Sequence, residues 1–246
     1  MKNNVLLLGG TGTLGSKIIK SKFFPNLKYP KKKILNILNK KQIENFLIKK
    51  KINLVLHCAA LARVKDCELN KSKAKKINII GTQNIVKSIL KIKKITKKDI
   101  KLVFISSDAV YASTRGSYKE TDKTSPYNIY GLTKLKGEKI VKKLKNYIII
   151  RTRFFDKKKI PFKYSAVNIY TSSLEVNKLV KYISILVKKK FQGIINVGGP
   201  KISDYKKYKK YKKNLEPCDK SKILNELNFK IATNASLNIS KLKKIL

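Results

Sequence analysis

The chain has 246 residues, 42% of them hydrophobic, which is enough for one large α/β domain and excludes a disordered polycation. Its 59 Lys and Arg stand against 14 Asp and Glu, a net charge of +45, but the lysines are spread over nearly every segment and only Arg63, Arg115, Arg151 and Arg153 are arginines. Phosphate-reading surfaces recruit the bidentate arginine fork, so the charge reads as compositional lysine enrichment and disfavours a dedicated nucleic-acid role.

From the N-terminus, Val5–Leu8 reads as a buried strand; glycine ends it too soon for a signal segment. Thr13–Lys20 reads as the helix that follows. Between them, Gly9-Gly-Thr-Gly-Thr-Leu-Gly15 places Gly9, Gly12 and Gly15 three residues apart. That spacing lets the backbone turn tightly, approach a pyrophosphate and pack the helix on the sheet, while the helix N-terminus offers unpaired N–H groups to phosphate. A dinucleotide site is expected there, formed by Gly9, Gly12, Thr13, Leu14 and Gly15. The next strand region, Leu27-Lys-Tyr-Pro-Lys-Lys-Lys33, lacks the acid that would hold a ribose 2′-hydroxyl. Lysines there attract a 2′-phosphate, so NADPH is expected over NADH.

Asn39 is a plausible N-cap for a helix over Lys40–Lys50, and Asn53–His57 is the next strand. Asn70–Ile92 reads as a long helical stretch and Leu102–Ile105 as a strand. Pro126 is placed to open a helix running through Tyr130 and Lys134 to about Lys145. Tyr147–Ile150 is a further strand. Beyond Arg151 a loop with Pro161 leads to a helix over Leu174–Lys189, a strand over Ile194–Val197 and a basic, irregular tail. The repeat Tyr205-Lys-Lys-Tyr-Lys-Lys-Tyr211 reads as an exposed helix face rather than an RNA-stacking surface. Strands alternating with helices imply an α/β fold with a doubly wound parallel sheet, its ligands at the carboxyl ends of the strands. Residues 1–152 form the expected dinucleotide-binding domain and 153–246 a shortened C-terminal subdomain, with helix 174–189 packing back on the sheet. No apolar run approaches the roughly 18 residues of a membrane span. Cys58, Cys67 and Cys218 form neither a metal-ligand pattern nor an even disulfide set, so a reduced, cytoplasmic protein with no metal is expected.

The chemistry-bearing residues converge on the strand ends. Strand Leu102–Ile105 delivers Ser106-Ser107-Asp108, and Tyr130 and Lys134 share a helix face at i and i+4. Ser107 would donate to a carbonyl oxygen, Tyr130 would give that oxygen a proton, and Lys134 would hold the cofactor ribose and depress the tyrosine pKa. His57, the single histidine, reads as packing. Asp66 and Glu68 read as helix-end charges. Arg63, just past Ala59-Ala60, is placed to meet a substrate phosphate.

These motifs resemble the extended short-chain dehydrogenase/reductases, most closely the dTDP-4-dehydrorhamnose reductase group. Besides the Gly-rich turn, the matching stretches include His57-Cys-Ala-Ala60, Asn78-Ile-Ile-Gly-Thr-Gln-Asn84, Ile105-Ser-Ser-Asp-Ala-Val-Tyr111, Tyr118-Lys-Glu-Thr-Asp122, Pro126 to Glu138, Arg151-Thr152 and Ala235 to Leu242. The resemblance implies a Rossmann-like fold, with Ser107, Tyr130 and Lys134 catalytic and Ala59, Ala60 and Ser106 near the cofactor; Arg151 falls at a cofactor-side or structural position. It implies an NAD(P)H-dependent reductase of a nucleotide-linked 4-keto-6-deoxy sugar, and leaves open an epimerase, a non-catalytic regulatory subunit and a homodimer. Nucleotide-sugar 4,6-dehydratases carry Asp-Glu after the active-site Ser/Thr; here the pair is Asp108-Ala109, which argues against dehydration. The segment Phe154–Tyr170 is shorter than the group's substrate-binding stretch.

Overall fold

The computed structural model describes residues 4–227 and 229–246. In chain order the first half runs β1 (Val5–Leu8), α1 (Thr13–Ser21), β2 (Leu27–Lys28), α2 (Lys40–Lys49), β3 (Leu54–His57), α3 (Val64–Leu69), α4 (Lys71–Lys75), α5 (Gly81–Thr96), β4 (Lys101–Ile105), α6 (Ile129–Val141) and β5 (Tyr147–Thr152). The second half runs β6 (Phe154–Phe155), β7 (Tyr164–Ala166), β8 (Tyr170–Thr171), β9 (Leu174–Glu175), α7 (Val176–Lys188), β10 (Gly193–Val197), β11 (Ile202–Ser203), α8 (Asp204–Lys209), β12 (Glu216–Cys218), α9 (Lys220–Asn225) and α10 (Ser240–Ile245).

Six strands form one parallel sheet in the order β10-β5-β4-β3-β1-β2. Its strands are runs of Leu, Ile and Val because both faces are covered. Val5 and Leu7 point to one face, where Leu179, Val180 and Ile183 of α7 and Ile18 of α1 pack; Leu6 and Leu8 point to the other, against Ile43 and Leu47 of α2 and Ile85 and Ile89 of α5. Each fully buried Leu or Ile contributes roughly 1.5–3 kcal/mol of transfer free energy. Register aligns Leu8 with His57, His57 with Phe104, and Ile105 with Ile150. The residues just past these strands therefore line up along one edge of the sheet, which fixes where a ligand can sit.

Several boundaries differ from the sequence expectation. The stretch over Asn70–Ile92 is not one helix: α4 passes through a π-helical turn, Lys76–Ile80, into α5. The wider turn places Asn78 between two other elements, accepting the Leu61 N–H at 2.8 Å and donating to Leu61 O at 3.0 Å and Thr133 Oγ1 at 2.9 Å. Pro126 does not open α6. Asn128 caps it instead, its side chain accepting the Gly131 N–H at 2.7 Å, and the helix ends at Val141 rather than Lys145. Leu174 and Glu175 belong to a short strand paired with Phe154 and Phe155, and Glu175 then caps α7. The tail is not irregular: it contains β11, α8, β12, α9 and α10, and the Tyr205–Tyr211 repeat is not a wholly exposed face, because Lys207 is 4% exposed and paired with Asp204.

Candidate active site

The Gly-rich turn follows from three local constraints. Gly9 has φ +90°, and a Cβ there would lie 2.6 Å from the Ala59 backbone N. A Cβ at Gly15 would lie 2.1 Å from Gly9 O, so only glycine lets α1 sit this close to the turn. Gly12 differs. Its nearest neighbour to an added Cβ is Gly9 O at an ordinary 3.5 Å, so packing does not require glycine; a side chain would project into open space at the helix start. Gly12 is the N-cap of α1 with no side-chain cap, leaving the first-turn N–H groups of Thr13, Leu14 and Gly15 without intrahelical partners. Bare backbone, free donors and the positive end of a helix fit a pyrophosphate.

Two cavities flank this turn and share Gly9, Gly12, Cys58 and Ala60. One, of about 460 Å³, is lined by Tyr29, Lys31, Lys32 and Ala59, with no carboxylate among its lining residues. The other, of about 580 Å³, brings together Thr13, Leu14, Gly15, Ser106, Ser107, Tyr130 and Lys134. Every cofactor-side and catalytic residue named from the sequence thus borders one of two adjoining cavities. Arg63 also lines the larger one.

Tyr130 is positioned from both sides. Glu68 on α3 accepts the Ile129 N–H at 2.7 Å and Asn128 accepts the Gly131 N–H, so the start of α6 is satisfied by two side chains. Gly131 lets the helix approach the Ser107–Val110 turn, where a Cβ would meet Ala109 O at 2.1 Å. The phenol therefore lies against Ser107 and Asp108. Burial and the Asp108 carboxylate push its pKa up to about 12, while the Ser107 hydroxyl acts against the shift. Lys134 is 3% exposed, its Nζ 4.0 Å from the Phe104 ring centroid, and burial brings its pKa down to about 8, with Glu138 opposing. The expected depression of the tyrosine pKa by Lys134 is not seen: desolvation dominates at both residues, and Lys134 is not among the main charges acting on Tyr130.

Ser107 has little hydrogen-bonding capacity left. Its hydroxyl accepts the Ala109 N–H at 3.1 Å and donates to Asp108 Oδ1 at 3.0 Å. A hydroxyl has one proton, so donation to a substrate oxygen requires release from Asp108. Ser106 is committed elsewhere: it donates to Glu138 Oε1 at 2.6 Å, and Glu138 takes a bidentate pair from Arg151, Nε to Oε1 at 3.0 Å and Nη2 to Oε2 at 2.7 Å. Arg151, 3% exposed, also donates to the Tyr111 hydroxyl and Glu120 O. This network fastens α6 to the ends of β4 and β5; Arg151 is scaffold.

His57 is 1% exposed, with its Nε2 3.0 Å from Thr82 Oγ1. Thr82 gives its own proton to Asn78 O at 2.7 Å, which assigns the hydrogen to His57 Nε2. Burial lowers its pKa to about 3, the state of a neutral packing residue.

Tyr127, Arg153 and Asp204, which the sequence patterns did not single out, also line the larger cavity. Arg153 Nε lies 2.6 Å from Asp108 Oδ2. The scarcity of arginine was the available signal; Asp204 arrives from the C-terminal region, where pattern carries no information about the cleft.

The family model described as the RmlD substrate binding domain matches residues 1–175. Methionine adenosyltransferase 2 subunit beta of Bos taurus is 31% identical over 147 residues, 56% of this chain and 42% of that protein. A dTDP-4-dehydrorhamnose reductase of Aggregatibacter actinomycetemcomitans is 29% identical over 154 residues, 60% of this chain and 50% of that protein. The chain thus spans half or less of the length of these relatives. Among solved structures, dTDP-4-dehydrorhamnose reductase from Bacillus anthracis in complex with NADP superposes with a TM-score of 0.86 at 24% identity, covering 99% of this chain and 93% of that one. A hypothetical dTDP-4-dehydrorhamnose reductase from Sulfolobus tokodaii has a TM-score of 0.81 at 28% identity, covering 99% and 94%.

Proposed function

The chain belongs to the RmlD substrate binding domain family, and from that premise we propose that it is an NADPH-dependent reductase of a nucleotide-linked 4-keto-6-deoxy sugar. The observation that carries the reading is one cavity bordered by the bare Gly12 cradle on one side and by Ser107, Tyr130 and Lys134 on the other. NADPH, when bound, supplies the hydride that reduces the ketone carbon. The pyrophosphate would lie on Gly12 and the first-turn N–H groups of α1, and the 2′-phosphate near Lys31 and Lys32. A neighbouring structure's NADP supports this choice, as does the absence of a carboxylate from the smaller cavity's lining.

Tyr130 does the proton chemistry. With its pKa up at about 12 the phenol keeps its proton at neutral pH and is a donor, as a ketone oxygen gaining negative charge requires. Ser107 steadies the phenol oxygen, and Lys134, with its pKa brought down to about 8, is suited to hold a ribose hydroxyl and to return the proton. Ala109 stands where a dehydratase would need a base, which favours reduction. Tyr130→Phe should lower kcat for keto-sugar-dependent NADPH oxidation by on the order of 10²–10⁴-fold with NADPH affinity retained. Unchanged turnover would remove Tyr130 from the mechanism.

A second reading rests on the relatives named as a methionine adenosyltransferase subunit: a cofactor-binding regulatory subunit without turnover. Stable capture of an oligomeric partner enzyme, with no NADPH consumed on a panel of nucleotide keto sugars, would select it.

A further inference from the structure

Behind the proton-transfer pair lies a chain of contacts that the reductase reading does not use. Arg153, immediately after β5, places Nε 2.6 Å from Asp108 Oδ2. The other carboxylate oxygen, Oδ1, takes the Ser107 proton at 3.0 Å. Ser107 borders the same cavity as Tyr130, and its hydroxyl acts to lower the phenol pKa. Asp108 is 1% exposed, so its orientation is set by these two partners rather than by water. The Arg153 side chain is one-third exposed and borders the same cavity as Tyr130.

We infer that Arg153 is a positioning residue for the proton-transfer site: it grips the Asp108 carboxylate, and Asp108 orients the Ser107 hydroxyl beside Tyr130. The inference rests on the reductase reading for its kinetic test and on geometry alone for its structural one. A carboxylate held at one oxygen by a guanidinium can accept a hydroxyl proton at the other without rotating, which keeps the Ser107 oxygen turned toward the phenol. Without Arg153, Asp108 would be a buried carboxylate with one hydroxyl partner and a charge facing Tyr130.

The groups that act on Tyr130 come from three elements. Asp108 from the turn after β4 and Cys67 from α3 raise its pKa; Ser107, from that same turn, and Arg153 from the end of β5 lower it; on its own helix, Lys134 is drawn to Glu138 and to Cys58 and Cys67. Asp204 and Lys207 on α8 form their own pair, with Lys207 also donating to Thr171 Oγ1 at 3.1 Å, and both Asp204 and Tyr127 act to raise the pKa of Arg153.

The two ends of the chain of contacts have opposite signs, and that makes the test specific. Reduction needs protonated Tyr130, so activity falls as pH rises through the phenol pKa. Asp108→Asn removes a charge that raises that pKa and should move the basic limb of kcat to lower pH by about one unit; Arg153→Met removes a charge that lowers it and should move the limb upward. Arg153→Met should also lower kcat by on the order of 10- to 100-fold through misplacement of Ser107, with the NADPH dissociation constant retained. Arg153→Lys keeps the charge and should restore the limb position, and it serves where Arg153→Met fails to fold. A uniform loss of kcat with the limb unmoved in both single variants would overturn the inference. If the parent protein turns over no nucleotide keto sugar, the reductase reading fails separately. The inference is then decided by ¹³Cζ-tyrosine NMR of Tyr130 in the ligand-free protein: a Tyr130 resonance displaced in Arg153→Met and returned toward the parent position in Arg153→Lys supports it, and a resonance unmoved in Arg153→Met overturns it.

Discussion

Strands β1, β3, β4 and β5 bury apolar side chains on both faces, whereas β6, β7, β8, β9, β11 and β12 are two or three residues long and join only in pairs. The first region is held by transfer of Leu, Ile and Val out of water. The second carries individual polar contacts, such as Ser172 Oγ accepting the Leu237 N–H at 3.0 Å and Asn168 Nδ2 donating to Asp219 Oδ2 at 2.6 Å. The difference assigns the tasks. The sheet fixes Gly12, Ser107, Tyr130 and Lys134 within one cavity, and the loosely knit region contributes Asp204 and Ala232 to the lining of the same cavity.

The largest stability effect should come from the network that fastens α6 to the sheet. Arg151→Met leaves Glu138 buried without its bidentate partner, and should lower stability by about 3–5 kcal/mol. Denaturant midpoints with unchanged slopes would measure it; a loss under 1 kcal/mol, on the order of an exposed ion pair, would contradict the claim that this contact is scaffold.

Acid should act on the sheet region next. Burial holds the His57 pKa at about 3, well below the ordinary 6.5 of a histidine. The unfolded chain takes up this proton first, so the stabilisation is complete above pH 6.5 and is lost as pH falls toward 3, at up to about 1.4 kcal/mol per pH unit. Urea unfolding at pH 7 and pH 5 should differ by on the order of 2 kcal/mol from this residue, and His57→Gln should flatten that difference.

The smallest effect belongs to the C-terminal region. Asp219 caps α9 by accepting the Ser221 N–H at 2.8 Å and also accepts from Asn168 Nδ2 at 2.6 Å. Asp219→Ala should lower the denaturant midpoint slightly, by loss of the cap, and leave NADPH affinity unchanged. A collapse of cofactor binding in that variant would mean the two regions are more tightly coupled than their contacts imply.

Much of the sheet region could be read from residues alone because its signals are local. The run Val5–Leu8, the glycines at 9, 12 and 15, and Tyr130 to Lys134 each report on the element that contains them. Asn128 as the cap of α6 was legible in principle, since Asn is a strong N-cap, but Pro126 competed for the same role. The π-helical turn was not legible, because Asn78 is drawn there by Leu61 and Thr133, partners distant in sequence. Arg153 and Asp204 were missed for the same reason: their place in the cavity depends on how a region without period folds back over the sheet. The Tyr130 pKa went the other way because the spacing shows Lys134 on the same face but says nothing of burial or of Asp108.

In the proposed reaction, hydride passes from the cofactor to the sugar while Tyr130 supplies the proton. The most direct test incubates the protein with NADPH deuterated at the transferable nicotinamide position and a dTDP-linked 4-keto-6-deoxy sugar, then weighs the recovered sugar nucleotide. One deuterium should appear on the sugar, bound to the former ketone carbon, and Tyr130→Phe should suppress it. A recovered sugar without deuterium, from folded protein that binds NADPH, would contradict the account.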